Sequence, residues 1–308
     1  SRNYFISSMH CNYLDKWIGN LLLRPSNLMK ILKLGQSLGN SNGGSTPETD
    51  FIFTVDTTIA GSSGTAKFLT PIVGTSVAYD VDWGDGSTDT GLTAAITHTY
   101  SSAASYTIKI SGGMDGWSFG NGGDKLKMTN ISNWGIFKVD SNATFYGCSN
   151  MTCTATDKVT TTGNQLQNTF RNCTLFNGNI SNWDVSSATR MDFFFFNCAA
   201  FNQDIGSWDV SNVTTLNKMF QGASLFNQNI GAWDVSSCTV FTSFMLSATS
   251  ASFSTANLDA IYNGWSLLTL SANETITFGS AKYSAAGVAG RAVLTSAPNN
   301  WTITDGGL

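Results

Sequence analysis

Residues 201–220, FNQDIGSWDVSNVTTLNKMF, follow no single helical or strand period, yet they recur twice in altered form. The related stretches are FNGNISNWDVSSATRMDFFF at 176–195 and FNQNIGAWDVSSCTVFTSFM at 226–245, so the motif returns with a constant 25-residue period. Apolar residues within one copy are separated by four, three, two, three and three positions, a mixture that a chain turning corners can satisfy. One copy has no partner for its apolar side, so the copies are predicted to stack as a solenoid.

The polar residues of the repeat also return in register, and we interpret them as structural. The asparagines are predicted to form an amide ladder, and the aspartates that follow the tryptophans to accept backbone N–H groups at a corner. An active site occurs once in a chain, whereas these residues recur, so no catalytic residue is predicted among them. The structural repeat positions are Trp183, Trp208, Trp233, Asn177, Asn202, Asn227, Asp184, Asp209 and Asp234.

The stretch 201–220 closely resembles the repeat of the BspA-like leucine-rich repeat surface proteins, a group that includes related repeats of mycoplasma lipoproteins and many marine bacterial and phage proteins. The resemblance implies a leucine-rich-repeat-type solenoid in a mainly β protein. It also implies adhesion or recognition at a cell or particle surface.

A different pattern precedes the repeats. FIFTV (51–55), VAYDVDW (77–83) and YTIKI (106–110) alternate apolar and polar residues, which predicts an antiparallel β-sandwich with Val77 among the inward side chains. DWGDGST (82–88), followed by HTY (98–100), resembles the polycystic-kidney-disease (PKD) type domain, although here Asp82 precedes Trp83. His98 is predicted to be a packed, hydrogen-bonded strand residue.

The acidic residues Asp80, Asp82 and Asp85 raise the question of a calcium site. An EF-hand loop needs an oxygen ligand at its fifth position, which Gly84 occupies here. A solvated turn is the better interpretation, and no cofactor is predicted.

Together these patterns predict four regions. Residues 1–50 are an N-terminal segment and linker that is not a folded domain, 51–114 a PKD-like β-sandwich, 115–252 the solenoid, and 253–308 a small α+β C-terminal cap. In the cap, residues 257–265 have an apolar helical face and 284–294 suggest a second helix with Ser284 as its N-cap.

Charge and composition narrow the classes of partner. Charged residues make up 12% of the chain, about half the usual share, and residues 34–308 carry eleven basic and nineteen acidic side chains. This balance disfavours nucleic acid as a partner. The apolar run at 17–29 is interrupted by Arg24 and Pro25 and is too short to span a bilayer, so neither a transmembrane segment nor a signal peptide is predicted.

The cysteines and histidines offer little for catalysis or zinc binding. Three of the six cysteines, Cys148, Cys173 and Cys198, share one register, and free buried thiols are favoured over disulfides for the set. With two histidines and no paired CxxC spacing, a zinc site is disfavoured, and the chain is predicted not to be an enzyme.

Two functions stay open from the sequence. The first is a non-enzymatic recognition or adhesion protein at an extracellular or cell surface, binding a glycan or protein through the solenoid face. The second is a structural or receptor-binding component of a phage particle, associated with its tail or fibre. Co-purification with particles would favour the second function.

Overall fold

The first strand of the described chain has alternating buried and half-buried side chains. The computed structural model describes residues 48–308, so nearly all of the predicted N-terminal segment lies outside the described residues. Strand β1 (Phe51–Asp56) buries Phe51, Phe53 and Val55. The remaining strands are β2 (Lys67–Leu69), β3 (Tyr79–Asp82), β4 (Thr88–Leu92), β5 (Thr97–Thr99), β6 (Ser105–Gly112), β7 (Met128–Asn133), β8 (Lys138–Val139), β9 (Thr152–Cys153), β10 (Thr160–Thr161), β11 (Thr275–Thr277) and β12 (Thr302–Thr304).

The described chain is mainly β, with a six-stranded mixed sheet and few helices. The sheet has the order β4-β3-β6-β1-β7-β9, in which only the β7–β9 pair is parallel. The pairs β2–β5 (antiparallel), β8–β10 and β11–β12 (both parallel) form three smaller sheets. Phe68 of β2 packs against Phe53 of β1 with ring centroids 5.9 Å apart, which joins the β2–β5 pair to the large sheet.

Two sequence predictions for this region have different outcomes. His98 stacks on Trp83 at a centroid distance of 4.6 Å, and its Nε2 lies 2.9 Å from Asp85 Oδ2, which confirms a packed, hydrogen-bonded residue. The prediction of an inward Val77 is wrong, because β3 begins only at Tyr79 and the Val77 side chain is half exposed.

Strand β7 carries the large sheet across the predicted boundary at 114/115. It pairs antiparallel with β1 on one side and parallel with β9 on the other. One hydrophobic core runs from Phe51 to Trp301 without a break. Within residues 48–308, therefore, neither the sheet nor the core separates the two predicted regions.

A fully buried ion pair just before β7 joins residues 124–127 to the segment that contains β2. Lys127, in a 3-10 turn at Lys125–Lys127, places its Nζ 3.3 Å from Asp124 Oδ2 and also donates to the carbonyl of Lys67 at 2.6 Å. Asp124 Oδ2 accepts from Ser63 Oγ at 2.5 Å and from Leu69 N at 2.8 Å. Burial alone would raise the pKa of Asp124, but these hydrogen bonds and the Lys127 charge hold it below its usual value.

Beyond β10 the repeated segments lie side by side in parallel register. Parallel bridges join Gln165 to Arg190, Arg190 to Thr215 and Thr215 to Val240, each one period apart. Buried phenylalanines follow the same register, since the rings of Phe170 and Phe195 are 5.9 Å apart and nearly parallel. The segments thus bury their apolar sides against one another, as the sequence predicts for repeats of this kind.

Each segment turns a corner at a residue with positive φ. The non-glycine residues at this position, each one period after the last, are Ala143, Asn168, Phe193, Lys218 and Ser243, with φ between 55° and 60°. Asparagine tolerates this left-handed conformation well, whereas other L-residues adopt it at a cost of about 1–2 kcal/mol. The corner is imposed by the stack rather than by the local preference of most of these residues.

Two helices and the strands β11 and β12 follow the last segment. Helix α1 (Thr255–Trp265) has Ser254 as its N-cap and buries Leu258, Ile261, Tyr262 and Trp265, which confirms the predicted apolar face. Helix α2 (Val288–Thr295) begins later than predicted, with Gly287 at its N-cap. The prediction of Ser284 as N-cap is wrong, because its Oγ donates to Asp259 Oδ2 at 2.6 Å and accepts from Ala286 N in a separate turn.

Candidate functional site

The three tryptophans of the repeats are buried, and two of them, Trp208 and Trp233, are hydrogen-bonded to the preceding segment. Trp208 Nε1 donates to the carbonyl of Ile180 at 3.1 Å, and Trp233 Nε1 to that of Ile205 at 3.0 Å. The ring of Trp208 packs on Phe195 of the preceding segment at 6.2 Å. Trp183 is equally buried, but its Nε1 has no hydrogen-bond partner within residues 48–308. These three tryptophans therefore belong to the core and present no ring face to a ligand.

The asparagines form a ladder along the exposed side of the stack. Asn177 Oδ1 accepts from Asn202 N at 2.9 Å, and Asn202 Oδ1 from Asn227 N at 2.8 Å. Gln203 Nε2 also donates to Asn177 Oδ1 at 3.0 Å, and Gln228 Nε2 to Asn202 Oδ1 at 2.8 Å. The ladder satisfies backbone groups between segments, which is the structural part that the sequence predicts for these amides.

The aspartates act within their own segments. Asp209 Oδ1 accepts from Ser211 N at 3.0 Å and Ser211 Oγ at 2.6 Å, and Asp184 makes the same pair of bonds to Ser186. Asp234 Oδ1 accepts from the backbone of Ser236 at 3.0 Å. The Ser186 and Ser211 hydroxyls, followed by the backbone bonds, lower the pKa values of Asp184 and Asp209. Asp184 and Asp209 therefore stay ionised as turn acceptors, and neither pKa moves toward the range of a general acid.

The C-terminal region continues the columns of the repeats with different residues. Trp265 Nε1 of α1 donates to the carbonyl of Ile230 at 3.3 Å, as a further repeat tryptophan would. Ser254 N and Asn257 Nδ2 donate to Asn227 Oδ1 at 2.9 and 2.8 Å, in the places of the next asparagine and glutamine. Strand β11 joins the stack through a parallel bridge between Phe241 and Ile276. The end of the stack is therefore covered by a region that reproduces its hydrogen bonds.

The described cysteines are free thiols, and the prediction of free buried thiols is confirmed for Cys148, Cys173, Cys198 and Cys238, whereas Cys153 is half-buried and Cys11 lies outside the described residues. Cys173 Sγ donates to the Phe145 carbonyl at 3.0 Å and Cys198 Sγ to that of Phe170 at 2.8 Å. Burial raises the pKa of Cys153 to about 11 and that of Cys238 to about 12, so these thiols are protonated at neutral pH.

The carboxylates at 80–89 are engaged by groups of the chain itself. Asp80 Oδ1 accepts from Gly91 N at 2.8 Å, Asp82 Oδ1 from Gly84 N at 2.9 Å, and Asp85 Oδ1 from Ser87 Oγ at 2.5 Å. No group of three or more His, Cys, Asp or Glu residues that could hold a metal ion occurs within residues 48–308. The residues present do not fit a calcium ion, which needs several oxygens pointing at one centre.

A half-buried cluster of aromatic and basic side chains is a feature that the sequence analysis does not predict. The Arg171 guanidinium carbon lies 4.8 Å from the ring centroid of Tyr146, 4.6 Å from that of Phe193 and 5.1 Å from that of Phe196. Lys218 Nζ lies 5.4 Å from the Phe193 centroid. Alignment of the repeats could have revealed this cluster. Phe193 and Phe196 occupy positions that hold the polar residues Lys218 and Gln221 one period later, so their rings are not required by the repeat.

Comparison with known proteins finds a family match over the repeat region. Residues 139–258 match the family model described as "Mycoplasma protein of unknown function, DUF285". The matched part runs from β8 into α1 and so includes all three copies of the motif at 176–245. No curated protein and no solved structure is detectably similar to the chain. Neither helix among residues 48–308 has the length and apolar character needed to cross a membrane.

Proposed function

We propose that this chain is a non-enzymatic recognition protein displayed outside the cell, which binds a glycan or protein ligand through the face of its repeats. In this proposal residues 51–114 are a PKD-like β-sandwich that holds the stack away from its anchor. Residues 115–252 are a leucine-rich-repeat-type solenoid of the BspA-like kind. Residues 253–308 are its cap. The extracellular location rests on the resemblance of the repeat to surface proteins.

The observation that carries the proposal is the in-register exposed face of uncharged polar side chains. Asn177 and Asn202 are exposed at equivalent positions, and so are Thr174 and Ser224, whose hydroxyls each donate to a carbonyl one period earlier. A face of this kind offers many modest hydrogen bonds, whose sum can hold a glycan or a protein surface. The recurring aspartates serve turns, and His98 is held by Asp85, so these titratable groups have structural partners.

The experiment is a binding survey of the full chain on printed arrays of glycans and extracellular proteins, with adhesion of chain-coated beads to intact cells. We expect saturable binding to a restricted set of ligands. A Gln203→Glu, Gln228→Glu double variant should weaken contacts made by the ladder face, whereas Lys282→Gln, near the C-terminus, is the matched control. Absence of any array or cell binding, or turnover of a bound ligand, would refute the proposal.

A further inference from the structure

The cluster around Arg171 extends along the stack as a stripe of alternating basic and aromatic residues. Tyr146, Arg171 and Phe196 lie on consecutive segments, because their carbonyls accept from Asn121 N, Gly147 N and Asn172 N at 3.1, 2.8 and 2.8 Å. We define the aromatic–cation stripe as Lys125, Tyr146, Arg171, Phe193, Phe196 and Lys218.

The stripe has a regular spacing. Lys125 Nζ donates to Asn121 Oδ1 at 2.7 Å, one segment before Tyr146, and Lys218 lies one segment beyond Phe193. Paired segments are about 4.8 Å apart, so the stripe is roughly 19 Å long with a basic residue on every second segment.

The positive charge of the stripe is not neutralised by the described part of the chain. No carboxylate between residues 48 and 308 lies within 4.0 Å of the side-chain nitrogens of Lys125, Arg171 or Lys218. Arg171 Nη1 donates to Asn168 Oδ1 at 3.0 Å, but its Nε is buried without a hydrogen-bond partner. Ring faces are a weaker counterpart to a guanidinium than an anion is, so the stripe favours an anionic ligand.

Phe193 places an aromatic ring at a corner where the equivalent residues of the other segments are small or polar. Its φ of 57° is shared by the equivalent corners of the other segments and comes from the stack, so the feature specific to Phe193 is its ring. Its side chain is also half-exposed, where the equivalent residue of the preceding segment is Asn168. The chain thus leaves part of one aromatic ring in contact with solvent while holding it against Arg171.

The shape of the stripe indicates which kind of anion it would take. Three aromatic residues of about 150–250 Å² each, all half-buried, expose at most about 400 Å². A stable protein partner needs about 800 Å² on each side with an apolar centre. Half-buried amides lie next to the stripe along the chain, since Asn217 precedes Lys218 and Gln221 holds the Phe196 position one period later, which suits a thin polar polymer better than an apolar protein surface.

We propose that the aromatic–cation stripe binds an anionic polysaccharide laid along the stack, with its acid groups at the basic residues and its sugars against the rings. The inference rests on the proposed function and names the ligand class and the subsite. The acid groups can be carboxylates or sulfates, which share the chemistry that Arg171 recognises.

The experiment measures binding of the full chain to four polymers by calorimetry, at low and high salt. Polygalacturonate and dextran sulfate supply the two anions, neutral dextran is the uncharged control, and poly-L-glutamate represents an acidic protein. We expect binding to at least one anionic polysaccharide, weaker at high salt, and none to dextran. Equal or tighter binding of poly-L-glutamate would overturn the polysaccharide assignment in favour of an acidic protein segment.

Variants test the site itself. Arg171→Ala should lower the affinity about tenfold, whereas Arg190→Ala, whose Nε is already paired with Asp192 Oδ2 at 3.0 Å, should change it by less than about twofold. Phe193→Asn keeps the left-handed corner but removes the ring, so it should weaken binding while leaving the fold intact. Unchanged affinity in Arg171→Ala and Phe193→Asn, or no binding of either anionic polymer, would overturn the proposal. If the array survey finds other ligands in that case, the recognition function stands and only this subsite fails.

Discussion

The buried tryptophans allow the hydrogen bonds between segments to be weighed with a matched pair of substitutions. Trp208 and Trp183 occupy equivalent positions and are 4% and 3% exposed. Their indole nitrogens differ, since the Trp208 indole donates to the Ile180 carbonyl and the Trp183 indole has no acceptor among the described residues. Replacement by phenylalanine removes the indole N–H from both and a similar part of the ring.

The expected difference follows from what each substitution leaves behind. Trp208→Phe removes one of the two donors of the buried Ile180 carbonyl, which keeps its bond from Trp183 N at 3.1 Å, so the lost hydrogen bond costs about 0.5–1.5 kcal/mol. Trp183→Phe removes a buried donor that is already unsatisfied, so part of its packing loss is offset. Trp208→Phe should therefore be less stable than Trp183→Phe by about 1 kcal/mol, and Trp208→Ala should lose about 3–5 kcal/mol.

Urea denaturation followed by circular dichroism measures the free energy of unfolding of each variant, provided that the denaturant slopes agree. The melting temperatures should differ in the same order, by about 2–4 °C for each kcal/mol. Equal destabilisation by the two phenylalanine substitutions, or a greater loss at Trp183, would refute the idea that the indole-to-carbonyl bonds stabilise the stack.

Three further predictions concern other parts of the fold. Lys127→Met should cost about 3–5 kcal/mol in urea denaturation because Asp124 is left buried and unpaired; a loss below about 1 kcal/mol would contradict the buried pair. Ser243→Gly should stabilise the fold by about 0.5–1 kcal/mol in the same assay, because φ is 55° there; destabilisation would contradict the left-handed corner. Hydrogen bonds from Ser87 and then His98 lower the pKa of Asp85 to about 2, so its stabilising contribution is full above about pH 4 and is lost toward pH 2. The stability gap between the wild type and Asp85→Asn should shrink over that range in acid titrations, and a gap that widens would show that the pKa is raised.

The repeats were predictable from sequence because their signal is periodic. The regular return of Trp208, Asn202 and Asp209 in neighbouring copies indicates stacked equivalents without knowledge of the backbone path, and each residue type suggests its own role. The helical face of α1 was predictable for a similar reason, since its apolar spacing is local.

The remaining features depend on contacts that leave no local trace in the sequence. Strand β7 pairs with β1 although all of β2 to β6 lies between them in the chain, and nothing in MTNISN (128–133) specifies that neighbour. The aromatic–cation stripe was hidden in the run FFFF (193–196), where Phe194 and Phe195 enter the core while the two outer rings face Arg171. Hydrophobicity alone treats all four as core residues.

The way in which α1 ends the stack has a consequence for how such chains vary in length. Asn257 and Trp265 contact the preceding segment through Asn227 and the Ile230 carbonyl, and both groups have equivalents one period earlier in Asn202 and Ile205. A chain with a whole segment deleted or duplicated would present the same surface to the same helix. The number of segments is therefore free to change by whole periods without redesign of the C-terminal region, and the length of the exposed polar face can be adjusted independently of the parts that close it.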